Sequence, residues 1–469
     1  MNGKMVLCIA GALLAGISMA ASAADVVTCV SGYVDPHKVC NVTAKAANGR
    51  LAIRSNILAG EKLLLGGTVQ IGADGRIESV GCDAVAPDAD TTQMDCPGEV
   101  VTPGLINLHE HLNYSTGEPL KRPANTMASH RDWQADPSLW PGDLVNRTGR
   151  KPPIALVELR HLASGTTTLA GRGGAKGLTR NPDAGWFAPV KNITFPFGRG
   201  TKLPPEDCTQ HRILSSSHPT LVHAGEGTDA ASRRELACLL ESRETYAQTE
   251  PLTLVHAVAV DDELAARMAR THTAMLWSPR SNMDLYNATA PIGLLQSKGV
   301  SISLGTDWMP SGSTTLLDEA RFARALRMDD ADVTSESLLA MMTSHPASAL
   351  GMTGQIGVIA PGAQADLAAF RVGDTDPGMM AVEVIESRST NVHFVMVGGK
   401  MKYVSAQLTS WLADFSEADA CMALPKNGCT GEGYACGAPV LKRAFARPDA
   451  ALILCPTPPP ELVDCACAP

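Results

Sequence analysis

The chain has no surplus of positive charge: 39 Lys and Arg stand against 48 Asp and Glu, giving a formal net charge of −9. That balance argues against nucleic acid or an anionic membrane as the main partner, without identifying a small-molecule substrate. After the first two dozen residues no apolar run is long enough to span a membrane. No internal repeat is evident, and Gly173-Gly174 lacks the surrounding pattern of a phosphate loop, so it reads as a turn. The cysteines form no pair of Cys-x-x-Cys knuckles, which disfavours a zinc cluster and favours disulfides.

What is present divides the chain. Lys4, an apolar run from Val6 to Ala20 and the small residues Ala21-Ser22-Ala23 have the form of a secretory signal peptide over 1–23. The expected location is therefore secreted or periplasmic. Of 13 cysteines, Cys8 falls in that segment, and an oxidising compartment permits the rest to pair. Cys421, Cys429, Cys436, Cys455, Cys465 and Cys467 crowd the end, so residues 406–469 are expected to form a disulfide-tied appendage.

Residues 24–99 read as short strands with turn signals, including Gly72-Ala-Asp-Gly75. A matching stretch at 354–405 carries the turn Gly398-Gly399. One small composite β-sandwich domain built from both flanks accounts for the two. Between them, over 100–353, strands alternate with helices in an α/β pattern. Strand candidates begin at Gly165, Lys191, Thr220, Leu252, Thr273 and Val300, and helices are expected over 229–244, 261–270 and 316–328, with Asp229 and Asp261 as N-caps. This order suggests a (β/α)8 TIM barrel, whose site lies at the C-terminal strand ends. One strand is hard to place between Phe197 and His218.

The apolar run from Val100 ends in His109-Glu110-His111. Strand alternation points His109 and His111 one way and Glu110 the other, so the two imidazoles can share a metal ion. Other apolar runs end in His223, His256 and Asp307, all ligand types suited to a divalent cation.

Taken together these motifs resemble the amidohydrolase superfamily, over about Leu51 to Val404. The similarity is closest to the mononuclear branch of cytosine and guanine deaminases and triazine hydrolases. The residues that carry it are Pro103-Gly-Leu-Ile-x-x-His-x-His111, His223-Ala-Gly-Glu226, Pro279-Arg-Ser-Asn282 and Gly305-Thr-Asp307. The resemblance implies a metal held by His109, His111, His223 and Asp307, with Zn²⁺ favoured and Fe²⁺ or Mn²⁺ compatible. It implies that Glu226 is the general acid/base, that His256 orients the nucleophile or stabilises an oxyanion, and that Asp307 also accepts a hydrogen bond from the nucleophile. The implied activity is hydrolysis of a non-peptide carbon–nitrogen bond in an amide, a lactam or an amino-substituted ring.

Tyr114 and Asn113 are expected to line the pocket, and His130 lies on the loop after the first barrel strand. Arg280 would pair with an anionic substrate group or bridge two structural carboxylates, and Asn282 would support a turn or touch substrate. Two alternatives stay open. Lys191, carboxylated, would bridge two metals in a binuclear amidase or dipeptidase; or the chain would be a non-catalytic secreted binding protein on the same fold. The oligomeric state, including a homo-oligomer, is not fixed by the sequence.

Overall fold

The computed structural model describes residues 25–456, apart from 47, 83–89, 120–126, 137–150, 172, 185–189, 199–201, 205, 207, 209–216, 247–248, 329, 409–420 and 425–431. The signal-peptide segment and Cys429, Cys465 and Cys467 lie outside the described residues. No helix among the described residues is long and apolar enough to cross a membrane.

Strands from both flanks of the chain share one 11-stranded sheet. The strand Thr92–Pro103 joins its parts: it pairs in parallel with Leu51–Ala59 and antiparallel with Leu367–Arg371. Its register shifts where Ser55 opposes Cys96 but Asn56 opposes Val100. Pro97-Gly98 lies in this irregularity, which lets one strand serve both halves. Hydrogen bonding thus connects a single sheet where a sandwich of two was expected. The two hairpin turns read from the sequence meet backbone to backbone. A Cβ on Gly75, at φ +78°, would lie 2.1 Å from the Gly398 carbonyl oxygen, so only glycine fits there.

A second group of strands is parallel. Lys191–Ile193, Thr220–Ala224, Leu252–His256, Thr273–Trp277 and Ile302–Leu304 are neighbours in that order. Leu105–Asn107 pairs with Thr166–Leu169, and a parallel bridge from Glu110 to Asp307 joins this pair to the first group. The strand that the sequence left unplaced is not needed between Phe197 and His218, because Lys191 already opposes Thr220. A further strand position survives as one parallel bridge, Thr168 to Arg180. Helices Ala230–Thr245 and Asp262–Arg270 begin where the N-caps predict: Asp229 accepts from Ser232 N and Asp261 from Leu264 N.

Arg180 also ties the two sheets together. Its guanidinium forks onto Asp366, Nε to Oδ2 at 2.5 Å and Nη2 to Oδ1 at 2.9 Å, with both residues buried. Removing one partner strands the other charge in a dry site, which costs about 3–5 kcal/mol. Asp366→Ala is expected to lose that much in denaturant unfolding, and a loss below about 1 kcal/mol would refute the role.

The tail is built into the fold. Gly433–Cys436 pairs with Lys400–Ser405, and Cys421 is bonded to Cys436. Helices Leu441–Phe445 and Ala450–Leu454 pack on helix Lys151–Leu162, whose Arg160 donates to the Ile453 carbonyl at 2.8 Å. The other described pairs are Cys29–Cys82, Cys40–Cys96 and Cys208–Cys238.

Candidate metal centre

The parallel strands deliver their terminal side chains to one buried point. Asp307 Oδ1 lies 3.1 Å from His109 Nε2 and 3.3 Å from His111 Nε2, and His223 Nε2 lies 3.3 Å from His111 Nε2. Ligands bound at roughly 2.0–2.1 Å in tetrahedral geometry sit about 3.3 Å from one another, so these separations match the edges of a zinc-sized tetrahedron. The His223 and His111 Nε2 atoms can share one N–H···N hydrogen bond, and with both lone pairs free they can turn to a single cation. The donor set therefore fits a divalent metal. His109, His223, His256 and Asp307 also place one donor atom each within 4.8 Å of one another.

The protonation states suit ligation. Burial pushes His109 down to about 4, and burial with the neighbouring imidazoles holds His223 well below its ordinary value. Burial alone would raise Asp307, but hydrogen bonds from His109 and His111 hold it well below the usual carboxylate range. His109, His223 and the Asp307 carboxylate are thus ready to bind a cation without first losing protons, whereas His111, which burial would lower but Asp307 raises, is the ligand that gives one up. Asp307 and His256 also have positive φ, 64° and 72°, a conformation rare for residues with side chains and frequent at functional sites.

Behind the cluster each group has its own support. Ser281 Oγ donates to Asp307 Oδ2 at 2.6 Å, and His256 Nδ1 lies 3.0 Å from Asn282 Oδ1. A carbonyl oxygen can only accept, so Nδ1 carries the proton and Nε2 keeps its lone pair. That Nε2 faces Glu226 Oε2 at 3.8 Å. Glu110 turns away from the cluster, as strand alternation predicts. It accepts from Ser115 and Thr306, and its Oε2 lies 3.4 Å from His161 Nε2.

The remaining sequence candidates are distributed around this point. Tyr114 stands beside His111, ring centroids 6.2 Å apart, and Asn282 reaches the site through His256. His130 is engaged with Glu235 at 3.0 Å and stacked on Phe195. Arg280 donates to Ser313 Oγ at 3.0 Å and lies over the Phe322 ring. Lys191 is exposed and in register with Thr220, three residues before His223. At about 3.3 Å per residue that is roughly 10 Å from the ligand end of the neighbouring strand, which removes it as a bridging ligand.

Tyr114, expected from the sequence, begins an arc of aromatic rings with successive centroids 5.9, 5.6 and 6.1 Å apart; sequence reasoning missed its other members, Trp308, Trp133 and Phe195. It also missed Tyr286, whose hydroxyl donates to Glu226 Oε1 at 2.7 Å. One signal was available for Tyr286: it lies four residues after Asn282 on helix Pro279–Tyr286, hence on the same face.

Glu319 is buried on helix Leu316–Ala325, accepting from Arg280 N, and burial raises it from 4.5 to about 7. Between those two values the folded state holds more protons than the unfolded one, so stability falls as pH rises through the interval. The effect is on the order of 3 kcal/mol. Glu319→Gln, which keeps the acceptor, is expected to match wild type in urea midpoint at pH 5 and exceed it at pH 8. Equal midpoints at both values would contradict this.

A model of the amidohydrolase family matches residues 218–402. The 5-methylthioadenosine/S-adenosylhomocysteine deaminase of Teredinibacter turnerae is 27% identical over 336 residues, spanning 61% of this chain and 74% of that one. The same-named protein of Desulfitobacterium hafniense is 28% identical over 71% and 88% of the two chains. Among solved structures, a zinc-bound adenosine deaminase from Xanthomonas campestris is similar, with TM-score 0.53 and 20% identity over 77% of this chain and 94% of that one. A triazine hydrolase variant gives TM-score 0.55 and 18% identity over 75% and 94%. At such identities these two likenesses speak to the fold alone.

Fold and donor set together define a metal-dependent hydrolase. The chain is similar to the amidohydrolase family over residues 218–402, and that match together with the deaminase relatives supports a hydrolase acting on carbon–nitrogen bonds.

Proposed function

We propose that the chain is a mononuclear zinc-dependent deaminase that exchanges an amino group on a planar heteroaromatic ring for oxygen. The observation that carries this reading is the aromatic arc, whose ends lie on two candidate ligands. Tyr114 is 6.2 Å from His111, and Phe195 is 5.8 Å from His223, centroid to centroid. A flat ring can stack on such a wall with its amino-bearing carbon near the cluster. The methylthioadenosine/S-adenosylhomocysteine deaminases similar to this chain are named for substrates of that shape.

The parallel strands are read as a (β/α)8 barrel, with the Arg180 bridge standing for a shortened strand and the site at the C-terminal ends. His109, His111, His223 and Asp307 would hold the ion, which supplies Lewis acidity and lowers the pKa of water towards about 7. Glu226 takes a proton from the attacking water and returns it to the leaving nitrogen, so that water's O–H and the ring C–N bond break while C–O and N–H bonds form. His256, with its proton on Nδ1, offers the Nε2 lone pair and orients the nucleophile by accepting from it. The domain limits given in the sequence analysis, and export to an oxidising compartment, are proposed alongside; the described disulfides support the latter.

The test is ammonia release from methylthioadenosine, adenosine, cytosine, guanine and melamine, beside a simple amide and a lactam. Turnover confined to the ring amines is expected. Hydrolysis of the amide or lactam with no ring deamination would contradict the reading.

A further inference from the structure

We propose that Tyr286, itself held by Trp133, is a positioning residue that fixes which oxygen of Glu226 carries the proton. The inference rests on the reading of Glu226 as proton carrier and goes beyond it. A carboxylate has two equivalent oxygens, and only one geometry lets the same oxygen face both the attacking water and the leaving nitrogen. Here the oxygens are made different. Oε1 accepts from the Tyr286 hydroxyl at 2.7 Å, and Oε2 is left facing His256 Nε2 at 3.8 Å. Tyr286 in turn accepts from Trp133 Nε1 at 3.1 Å, which orients its hydroxyl proton toward Glu226.

The arrangement is buried and braced from the backbone. Tyr286 and Glu226 are 2% and 3% exposed. Trp133 lies on helix His130–Ala135, and the start of that helix is bonded to the Glu226 loop. His130 N donates to the Glu226 carbonyl at 3.0 Å, Thr228 N donates to the Ala128 carbonyl at 2.7 Å, and Ser129 bridges to Gly227. One short helix therefore grips Glu226 twice, by its main chain and, through Tyr286, by its side chain. Helix Pro279–Tyr286 completes the frame by presenting Ser281 to Asp307, Asn282 to His256 and Tyr286 to Glu226. In turnover a water proton moves to Oε2 and from Oε2 to the leaving nitrogen, while Tyr286 keeps its own proton throughout.

Tyr286→Phe removes the donor and keeps the ring among Met127, Leu285 and Trp308. With the panel compound that wild type turns over fastest, kcat is expected to fall about 10–100-fold, the lower part of the range for a positioned acid/base. KM should move less than threefold, and bound zinc should not change. Trp133→Phe should lower kcat less. The kcat of the double variant should be no lower than that of Tyr286→Phe within about twofold, because the Trp133 hydrogen bond acts through the tyrosine, while any loss from the aromatic wall appears in KM. Wild-type kcat in Tyr286→Phe, or multiplying losses in the double variant, overturns the inference. Glu226→Gln measured alongside separates the two levels. If it is fully active the proton-carrier reading fails, and if it is inactive beside a fully active Tyr286→Phe only the positioning role fails.

Discussion

Glu226→Gln is expected to lower kcat by about three orders of magnitude while the protein keeps its metal and its thermal midpoint. Glutamine is isosteric, so it can still accept from Tyr286 through its carbonyl oxygen. What it cannot do is bind and release a proton at the other position. General acid/base groups contribute about 10²–10⁴-fold, and here one residue serves both directions of transfer, which places the loss in the upper part of that range. Glu226 approaches His256 at 3.8 Å and is not among the groups converging within ligand distance of Asp307, so metal content is expected to stay at the wild-type level. The checks are steady-state kinetics and metal analysis on one preparation. Retained activity would remove Glu226 from the chemistry, and lost metal would show that it ligates.

Chelation has the second large effect. Removing the ion is expected to abolish turnover and lower thermal stability, with both restored by zinc. The stability change follows from mass action: about 4 kcal/mol when free zinc exceeds its Kd a thousandfold. The pH dependence has a definite sign. His111, which burial alone would lower, is raised above 6.5 by Asp307, so it is the ligand that protonates first as pH falls. Zinc uptake by the apoprotein should therefore weaken as pH drops below neutrality, while His109 and His223, held low, impose no such requirement there. Activity that survives exhaustive chelation would contradict the assignment.

The parts of this protein that were legible in the sequence were those written in local patterns. Apolar runs ending in His223, His256 and Asp307 are strands because their alternation and capped intervening helices leave few other options, and their ends meet because parallel strands in this order share one end. Asp229 and Asp261 marked helix starts for the same local reason. Glu110 looked like a neighbour of the chemistry, and period-two alternation alone turned it away.

What was not legible depends on distant contacts. Trp133, Phe195 and Trp308 are far apart in sequence, and only the fold makes them one wall. Tyr286 reaches Glu226 across 60 residues, and its helical spacing from Asn282 marked a shared face without naming a target. Arg280 and His130 carried suggestive chemistry, yet their engagement with Ser313 and Glu235 follows from packing that no motif records. The sheet's continuity through Thr92–Pro103 hinges on one register shift, which a pattern of turns and strands does not encode.

The most direct test is a zinc titration of the metal-free protein, with ammonia release from methylthioadenosine followed at each addition. The account predicts activity that rises linearly and saturates at about one zinc per chain. Saturation at about two, or no ammonia release at any zinc level, would contradict it.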